Sequence, residues 1–251
     1  MILEKKDLRG SRLRCLMLTS LSREHVADAL TDLVAPFASV GPEDHWMPGG
    51  FLRPDEAKLG EALDYLSPED RKSVTSWWLK VRRNANTPNW DLASTCTVES
   101  RPGLVLIEAK AHDMELRSEG KGKTEITNKD NHEHIGAAIS EADDALNNVL
   151  PGWSLSRDSH YQLANRFAWA WKLADMGIPT VLIYLGILNA TEMEDQGRSF
   201  STHQQWRTSV MAHAQGVVPR EAWERPLLIR GTPLVALLRS ADFSITLGSG
   251  P

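Results

Sequence analysis

The sequence predicts an α/β domain in which a central mixed β-sheet is flanked by helices. Amphipathic helical patterns occupy the first third of the chain, strand-like patterns follow near residues 90–110, and a run at 181–188 is apolar on both faces. The order helix–strand–strand–helix–strand is typical of a layered α/β domain. The chain has 251 residues, which fits one domain covering 1–251.

The first third of the chain is expected to be mainly helical. Ser22 is a suitable N-cap for a helix that continues to about residue 34, and a loop rich in Pro and Gly covers 40–50. Two more helices are predicted over 54–66 and 67–81, the second with an N-cap and a first-turn proline in Ser67-Pro-Glu-Asp. We therefore divide the domain into an N-terminal helical portion of about 1–83 and a core of about 84–190.

The core begins with strands and continues with helices. Residues 90–99 and 104–109 are expected to form two strands joined by a turn at Arg101-Pro-Gly. Helices are predicted from about 135 to 149 and from 158 to 176, before the central strand at 181–188. A helix at 204–214 and an apolar run at 233–238 complete the chain.

Composition and charge limit the possible functions. Hydrophobic residues make up 41% and charged residues 24%, as in an ordinary soluble protein. The formal net charge is −5, so any contact with nucleic acid must be local. No apolar run is long enough to span a bilayer and the N-terminus lacks the features of a signal peptide. With Cys15 and Cys96 far apart, we expect free thiols and a cytoplasmic protein that does not contact a membrane.

Two charged side chains end the second predicted strand of the core. Side chains alternate along a strand, so Glu108 and Lys110 share the face that carries Leu104 and Leu106. If the strand that begins near Trp90 pairs with this one, Asp91 can reach Glu108. Two carboxylates can hold a hard cation such as Mg²⁺, which polarises a phosphoryl oxygen and acidifies a bound water. The Lys110 ammonium can orient that water or offset charge in the transition state.

These residues resemble the PD-(D/E)xK nuclease superfamily. The resemblance depends on Asp91, on Glu108-Ala-Lys110 and on the order of elements from roughly 54 to 188. The first motif departs from the superfamily, because Asn89-Trp90 precedes Asp91 where Pro-Asp is usual. The resemblance implies a restriction endonuclease-like fold, with the nuclease-like core at about 84–190.

The resemblance also implies roles for individual residues. Asp91 and Glu108 would bind Mg²⁺ or Mn²⁺, and Lys110 would assist the attacking water. An upstream helix often supplies another glutamate in this superfamily, and Glu61 is the first choice here, with Glu56 second. A plain alternative stays open, in which an exposed Glu–Lys pair closes a strand and Asp91 caps a turn.

Nucleic-acid contacts are expected from two further segments. Gln162, Arg166 and Lys172 lie on one stripe of the helix at 158–176, where superfamily members carry polar or basic residues that face the site. Gln162 is assigned to catalysis, and Arg166 and Lys172 to phosphate binding. The basic segment 71–83 adds Arg82 and Arg83. Ordinary amphipathic helices with solvated basic faces would explain both segments equally well.

The expected function is therefore metal-dependent phosphodiester cleavage of nucleic acid, with DNA favoured as the partner. A homodimer would suit double-strand cleavage. One alternative is an inactive protein of the same fold that binds nucleic acid or a protein partner. Another is an unrelated α/β protein in which the triplet is accidental.

Overall fold

The computed structural model describes residues 9–61, 65–82, 85–121 and 129–243. Its strands are β1 (Trp46–Met47), β2 (Ala57–Lys58), β3 (Asn89–Trp90), β4 (Leu92–Val98), β5 (Arg101–Lys110), β6 (Thr180–Ile187), β7 (Pro226–Ile229) and β8 (Thr232–Ala241). Its α-helices are α1 (Gly10–Thr19), α2 (Arg23–Val34), α3 (Pro68–Trp78), α4 (Lys129–Val149), α5 (Tyr161–Asp175) and α6 (His203–His213). No α-helix in these ranges is both long and apolar enough to cross a membrane.

The fold is α/β and is built on a mixed sheet, as the sequence predicted. Six strands lie in the order β1-β4-β5-β6-β8-β7. β4 and β5 form an antiparallel hairpin, whereas β5, β6 and β8 run parallel to one another. The predicted strand at 181–188 corresponds to β6, which lies inside the sheet between two parallel neighbours. A separate antiparallel pair joins β2 to β3.

Helices cover both faces of the sheet. One face packs against α3, α4, α5 and α6, and its core contains Leu104 and Leu106 of β5. The other face packs against α1 and α2, and its core contains Val105, Ile107 and Ala109. This alternation places Glu108 and Lys110 on the face that α5 covers.

Two local predictions are wrong. Residues 54–61 contain no helix, because Ala57 and Lys58 pair with Trp90 and Asn89 as strand β2. The buried residues of this segment, Ala57 and Leu59, alternate with period two. Residues 62–64 of the predicted helix lie outside the described ranges.

The hairpin turn lies at Glu99–Ser100, with φ values of 47° and 64°, and not at Arg101-Pro-Gly, which already belongs to β5. A two-residue turn with positive φ at both positions matches the twist of the flanking strands.

The helix caps agree with the sequence. The side chain of Ser22 accepts a hydrogen bond from the backbone N–H of His25 at the start of α2. Ser67 accepts one from the N–H of Asp70 at 3.0 Å, and Pro68 opens α3. α3 ends at Trp78, three residues before the predicted end. Both cysteines are buried free thiols.

Candidate active site

Asp91 lies beside Glu108 through the register of the β4–β5 hairpin. Leu92, the residue after Asp91, pairs with Ile107, the residue before Glu108, so the two carboxylates lie at the same end of the hairpin. The backbone N–H of Ala109 donates to Asp91 Oδ2 at 2.8 Å, which fixes the carboxylate against the strand that carries Glu108 and Lys110. The strand pairing that the sequence predicted is therefore confirmed.

Glu108 is the centre of a buried hydrogen-bonded cluster. Its Oε1 accepts from Lys110 Nζ at 2.5 Å and from Gln162 Nε2 at 2.7 Å, and its Oε2 accepts from Arg166 Nε at 2.6 Å. Glu108 is 1% exposed and Lys110 is 6% exposed. The alternative of a solvent-exposed Glu–Lys pair closing a strand is therefore wrong.

Helix α5 delivers two of these partners because of its periodicity. Gln162 and Arg166 are four residues apart, so both project from the same face of the helix. Arg166 is held further by Asn89, whose carbonyl oxygen accepts from its Nη2 at 2.7 Å, and by the ring of Trp90, whose centroid lies 4.5 Å from the guanidinium carbon. The guanidinium is thus fixed by the residues directly before Asp91.

The two carboxylates have opposite electrostatic environments. Burial alone would raise the pKa of Glu108, but the charges of Arg166 and Lys110 outweigh it and lower that pKa. Burial and the neighbouring Glu108 charge raise the pKa of Asp91 to about 7, against the opposing effects of Lys110 and the Ala109 N–H. Two carboxylates, Asp91 and Glu108, and two cations, Lys110 and Arg166, thus share this buried site, and burial together with the Glu108 charge disfavours the ionised form of Asp91.

Asp91 offers one carboxylate oxygen to a hard divalent cation, because its Oδ1 accepts no hydrogen bond from the residues that the structure describes. Both oxygens of Glu108 already accept hydrogen bonds, from Lys110, Gln162 and Arg166. No cluster of three or more His, Cys, Asp or Glu side chains arranged for a metal occurs among the described residues. A metal here would be held by Asp91 and Glu108, with water completing the shell as Mg²⁺ prefers, and Glu108 would have to exchange one of its present partners.

Of the two upstream glutamates, Glu56 lies nearer to this site. Its Oε2 accepts from Asn89 Nδ2 at 2.9 Å, its Oε1 pairs with Arg12 at 2.5 Å, and its charge contributes to the raised pKa of Asp91. Glu61 instead pairs with Lys58 at 3.1 Å, with its side chain 58% exposed. Glu56 stands just before β2, and the pairing of β2 with β3 carries it toward Asp91.

Two of the predicted phosphate-binding residues lie elsewhere. Lys172 is ten residues beyond Gln162 on α5, a rise of about 15 Å, and pairs with Glu141 and Asp175 at 3.3 Å each. Arg82 donates to the Lys72 carbonyl and to Ser76 Oγ, at 3.2 and 3.0 Å. Arg83 lies outside the described residues.

Two cavities open at the site and share Tyr161 and Gln162 in their walls. The first, of about 390 Å³, is also lined by Lys110 and Arg117 together with Glu115, Glu119 and Gly120. The second, of about 280 Å³, borders Asn89, Asn165 and Arg166. Gln162 thus separates a space beside Lys110 from a space beside Arg166.

The sequence did not reveal Asn89 and Trp90 as partners of Arg166. The signal that the sequence did contain was their position, because Asn89 and Trp90 directly precede Asp91. Arg12, the partner of Glu56, had no signal in the sequence because its contact depends on how α1 packs.

No protein-family model, curated protein or solved structure matches this chain. Its candidate function is therefore argued from the geometry and charge of its own residues.

Proposed function

We propose that this protein is a metal-dependent phosphodiesterase that cleaves nucleic acid, with DNA the favoured substrate. The observation that carries the proposal is the juxtaposition of Asp91, Glu108 and Lys110 at the end of a hairpin, where burial and the Glu108 charge raise the pKa of Asp91. Mg²⁺ or Mn²⁺ would be held by Asp91 and Glu108. The bound metal would supply Lewis acidity and a more acidic water.

The remaining residues support that chemistry by position. Lys110 lines the cavity of about 390 Å³, so its ammonium can donate to a phosphate oxygen or to the attacking water there. Gln162 shares a carboxylate oxygen with Lys110 and keeps Glu108 in one orientation. Arg166 neutralises Glu108 from the opposite side. Each of these groups is held in place before any substrate arrives, which reduces the reorganisation that catalysis requires.

Positively charged side chains reach both cavities. Lys110 and Arg117 line the first cavity beside Glu115 and Glu119, and Arg166 lines the second, although the whole chain carries a formal charge of −5. A phosphodiester would therefore be held by direct hydrogen bonds from these three side chains and not by a net positive potential.

Cleavage assays with matched variants test the proposal. Linear and circular DNA, single-stranded DNA and RNA are incubated with the protein in Mg²⁺, in Mn²⁺ and in EDTA. We expect metal-dependent cleavage that is lost in Asp91→Asn and in Lys110→Ala while thermal unfolding shows that both variants fold. Lys80→Ala is the control, because Lys80 is an exposed lysine paired with Asp130. Full activity in either site variant would contradict the proposal.

A non-catalytic binding protein of the same fold is the second candidate. The observation in its favour is that Arg166 and Lys110 already occupy the Glu108 carboxylate, as they would in a scaffold with no metal. Calorimetric titration with Mn²⁺ separates the two. Binding heat that disappears in Glu108→Gln supports the enzyme, whereas nucleic-acid binding without any Mn²⁺ binding supports the scaffold.

A further inference from the structure

Two histidines meet next to the proposed active site without serving its chemistry. His160 stands at the residue before α5, and His213 is the last residue of α6. Their ring centroids are 5.0 Å apart and the planes are inclined by 52°. Both side chains are half-buried, so a ligand can still reach them. The residues that follow His160 are Tyr161 and Gln162, which line the Lys110 cavity.

Folding alone does not account for the conformation of His160. Its φ is 47°, a left-handed conformation that costs a residue with a Cβ about 1 kcal/mol or more. The side chain occupies the N-cap position of α5 but makes no capping hydrogen bond. Its Nδ1 is buried and has no hydrogen-bond partner in the part of the chain that the structure describes. Buried polar atoms normally have partners, so a group from outside the chain that reached this nitrogen would satisfy it.

The Lys110 ammonium acts on the pair from nearby. Burial, followed by the charges of the His160 ring and of Lys110, lowers the pKa of His213 to about 4. A third metal-binding side chain is absent there among the described residues. The nearby ammonium favours an anion as the ligand.

We propose that His160 and His213 form an anion-binding position for a nucleic-acid phosphate that adjoins the phosphate held beside Lys110. Ring N–H groups of the two imidazoles would donate to the phosphate oxygens, and the free Nδ1 of His160 would gain a partner. This inference rests on the proposed function for the identity of the anion. The presence of an anion site can be tested without any cleavage.

Ring NMR signals of the metal-free protein provide that test. The pKa of His213 is measured alone, with inorganic phosphate, and with short thymidine oligonucleotides that carry or lack a 5′-phosphate. A bound phosphate stabilises the imidazolium, so we expect the pKa to rise toward the ordinary value of about 6.5. A rise with both oligonucleotides assigns an internal phosphate, and a rise only with the phosphorylated one assigns a terminal phosphate. A response to inorganic phosphate alone, or to none of the probes, overturns the proposal.

Variants connect the pair to the substrate. His160→Asn keeps a residue that tolerates the left-handed conformation, and His213→Gln keeps a polar side chain. Each is expected to raise KM about tenfold, which corresponds to about 1.4 kcal/mol of lost binding. His203→Gln is the control, since His203 lies at the other end of α6 and bonds Ser240.

The two proposals fail in different ways. A wild-type protein without nuclease activity contradicts the proposed function, and the ring titration then still decides the anion site. Metal-dependent cleavage with an unchanged KM in both histidine variants and no shift in the His213 pKa overturns the anion site and leaves the proposed function in place.

Discussion

Two clusters of ion pairs in this domain differ in how deeply their carboxylates are buried. One joins α1 to the turn at 191–195, where Arg9 and Arg14 meet Asp195 and Glu192. Both of its carboxylates are partly exposed, at 61% for Asp195 and 34% for Glu192. The other surrounds Glu108, whose side chain is 2% exposed. There, Arg166 and Lys110 bond to Glu108, and Asp91 lies beside this cluster and accepts a hydrogen bond from the Ala109 N–H.

The two clusters also differ in the pKa of their carboxylates. Burial works against ionised Glu192, but hydrogen bonds from Arg14 and from the Gly10 N–H prevail, and its pKa is lowered. The pKa of Asp91 is instead raised to about 7 by burial and by Glu108. A raised carboxyl pKa beside fixed cations is a property that many functional sites share.

Replacing an arginine by leucine should lower the free energy of unfolding strongly only in the Glu108 cluster. Arg166→Leu leaves a buried carboxylate with Lys110 as its one remaining cation, and we expect a loss of about 3 kcal/mol in the free energy of unfolding. Arg14→Leu should cost about 1 kcal/mol or less, because Glu192 can turn to solvent. Urea unfolding measures both. Equal losses would show that the two clusters do not differ in this way.

Removal of the carboxylate should affect activity in one cluster alone. Glu108→Gln is expected to lower metal-dependent cleavage at least about 100-fold, since it removes a metal ligand and the partner of Lys110. Glu192→Gln, a chemically identical change, should leave the rate unchanged. Initial rates on the same DNA substrate compare the two, and a comparable loss in both variants would argue for a general effect on folding.

The two clusters should respond to pH in opposite directions. Asp91 has a folded-state pKa above its unfolded value of about 3.9, so metal-free protein should lose stability as pH rises from about 4 and level off above about 7. Asp91→Asn should remove this loss. The pKa of Glu192 is lowered on folding, so its contribution is present above about pH 4.3 and disappears as the pH falls. The free energy of unfolding is measured in EDTA across this pH range for the wild-type protein, Asp91→Asn and Glu192→Gln. Its change with pH gives the sign of each contribution.

The smallest expected effect concerns the upstream glutamates. Glu56→Gln should lower the Mn²⁺ affinity by a few-fold to about tenfold, because the charge of Glu56 acts on the proposed ligand Asp91 without contacting the metal. Glu61→Gln should leave the affinity unchanged, since Glu61 is exposed and paired with Lys58. Calorimetric titration compares the two variants. The reverse order would return Glu61 to the site as first predicted.

Periodicity explains which parts of the site could be predicted. Alternation along β5 placed Glu108 and Lys110 on one face, and the four-residue spacing on α5 placed Gln162 and Arg166 together. The segment 54–66 is predicted as a helix, whereas its buried residues Ala57 and Leu59 alternate with period two as in a strand. Its pairing with Asn89–Trp90 is a long-range contact that no local pattern encodes.

The sequence by itself determined the α/β class, the hairpin of β4 and β5, and the shared face of Glu108 and Lys110, because these depend on local hydrophobic periods and capping residues. The tertiary structure decided that Arg166 and Gln162 close on Glu108, that burial and Glu108 raise the pKa of Asp91, and that Glu56 is the nearer upstream glutamate. It also brought His160 to His213, which lie more than fifty residues apart. Such contacts arise from the packing of whole elements, and charge balance at a site exists only once they are packed.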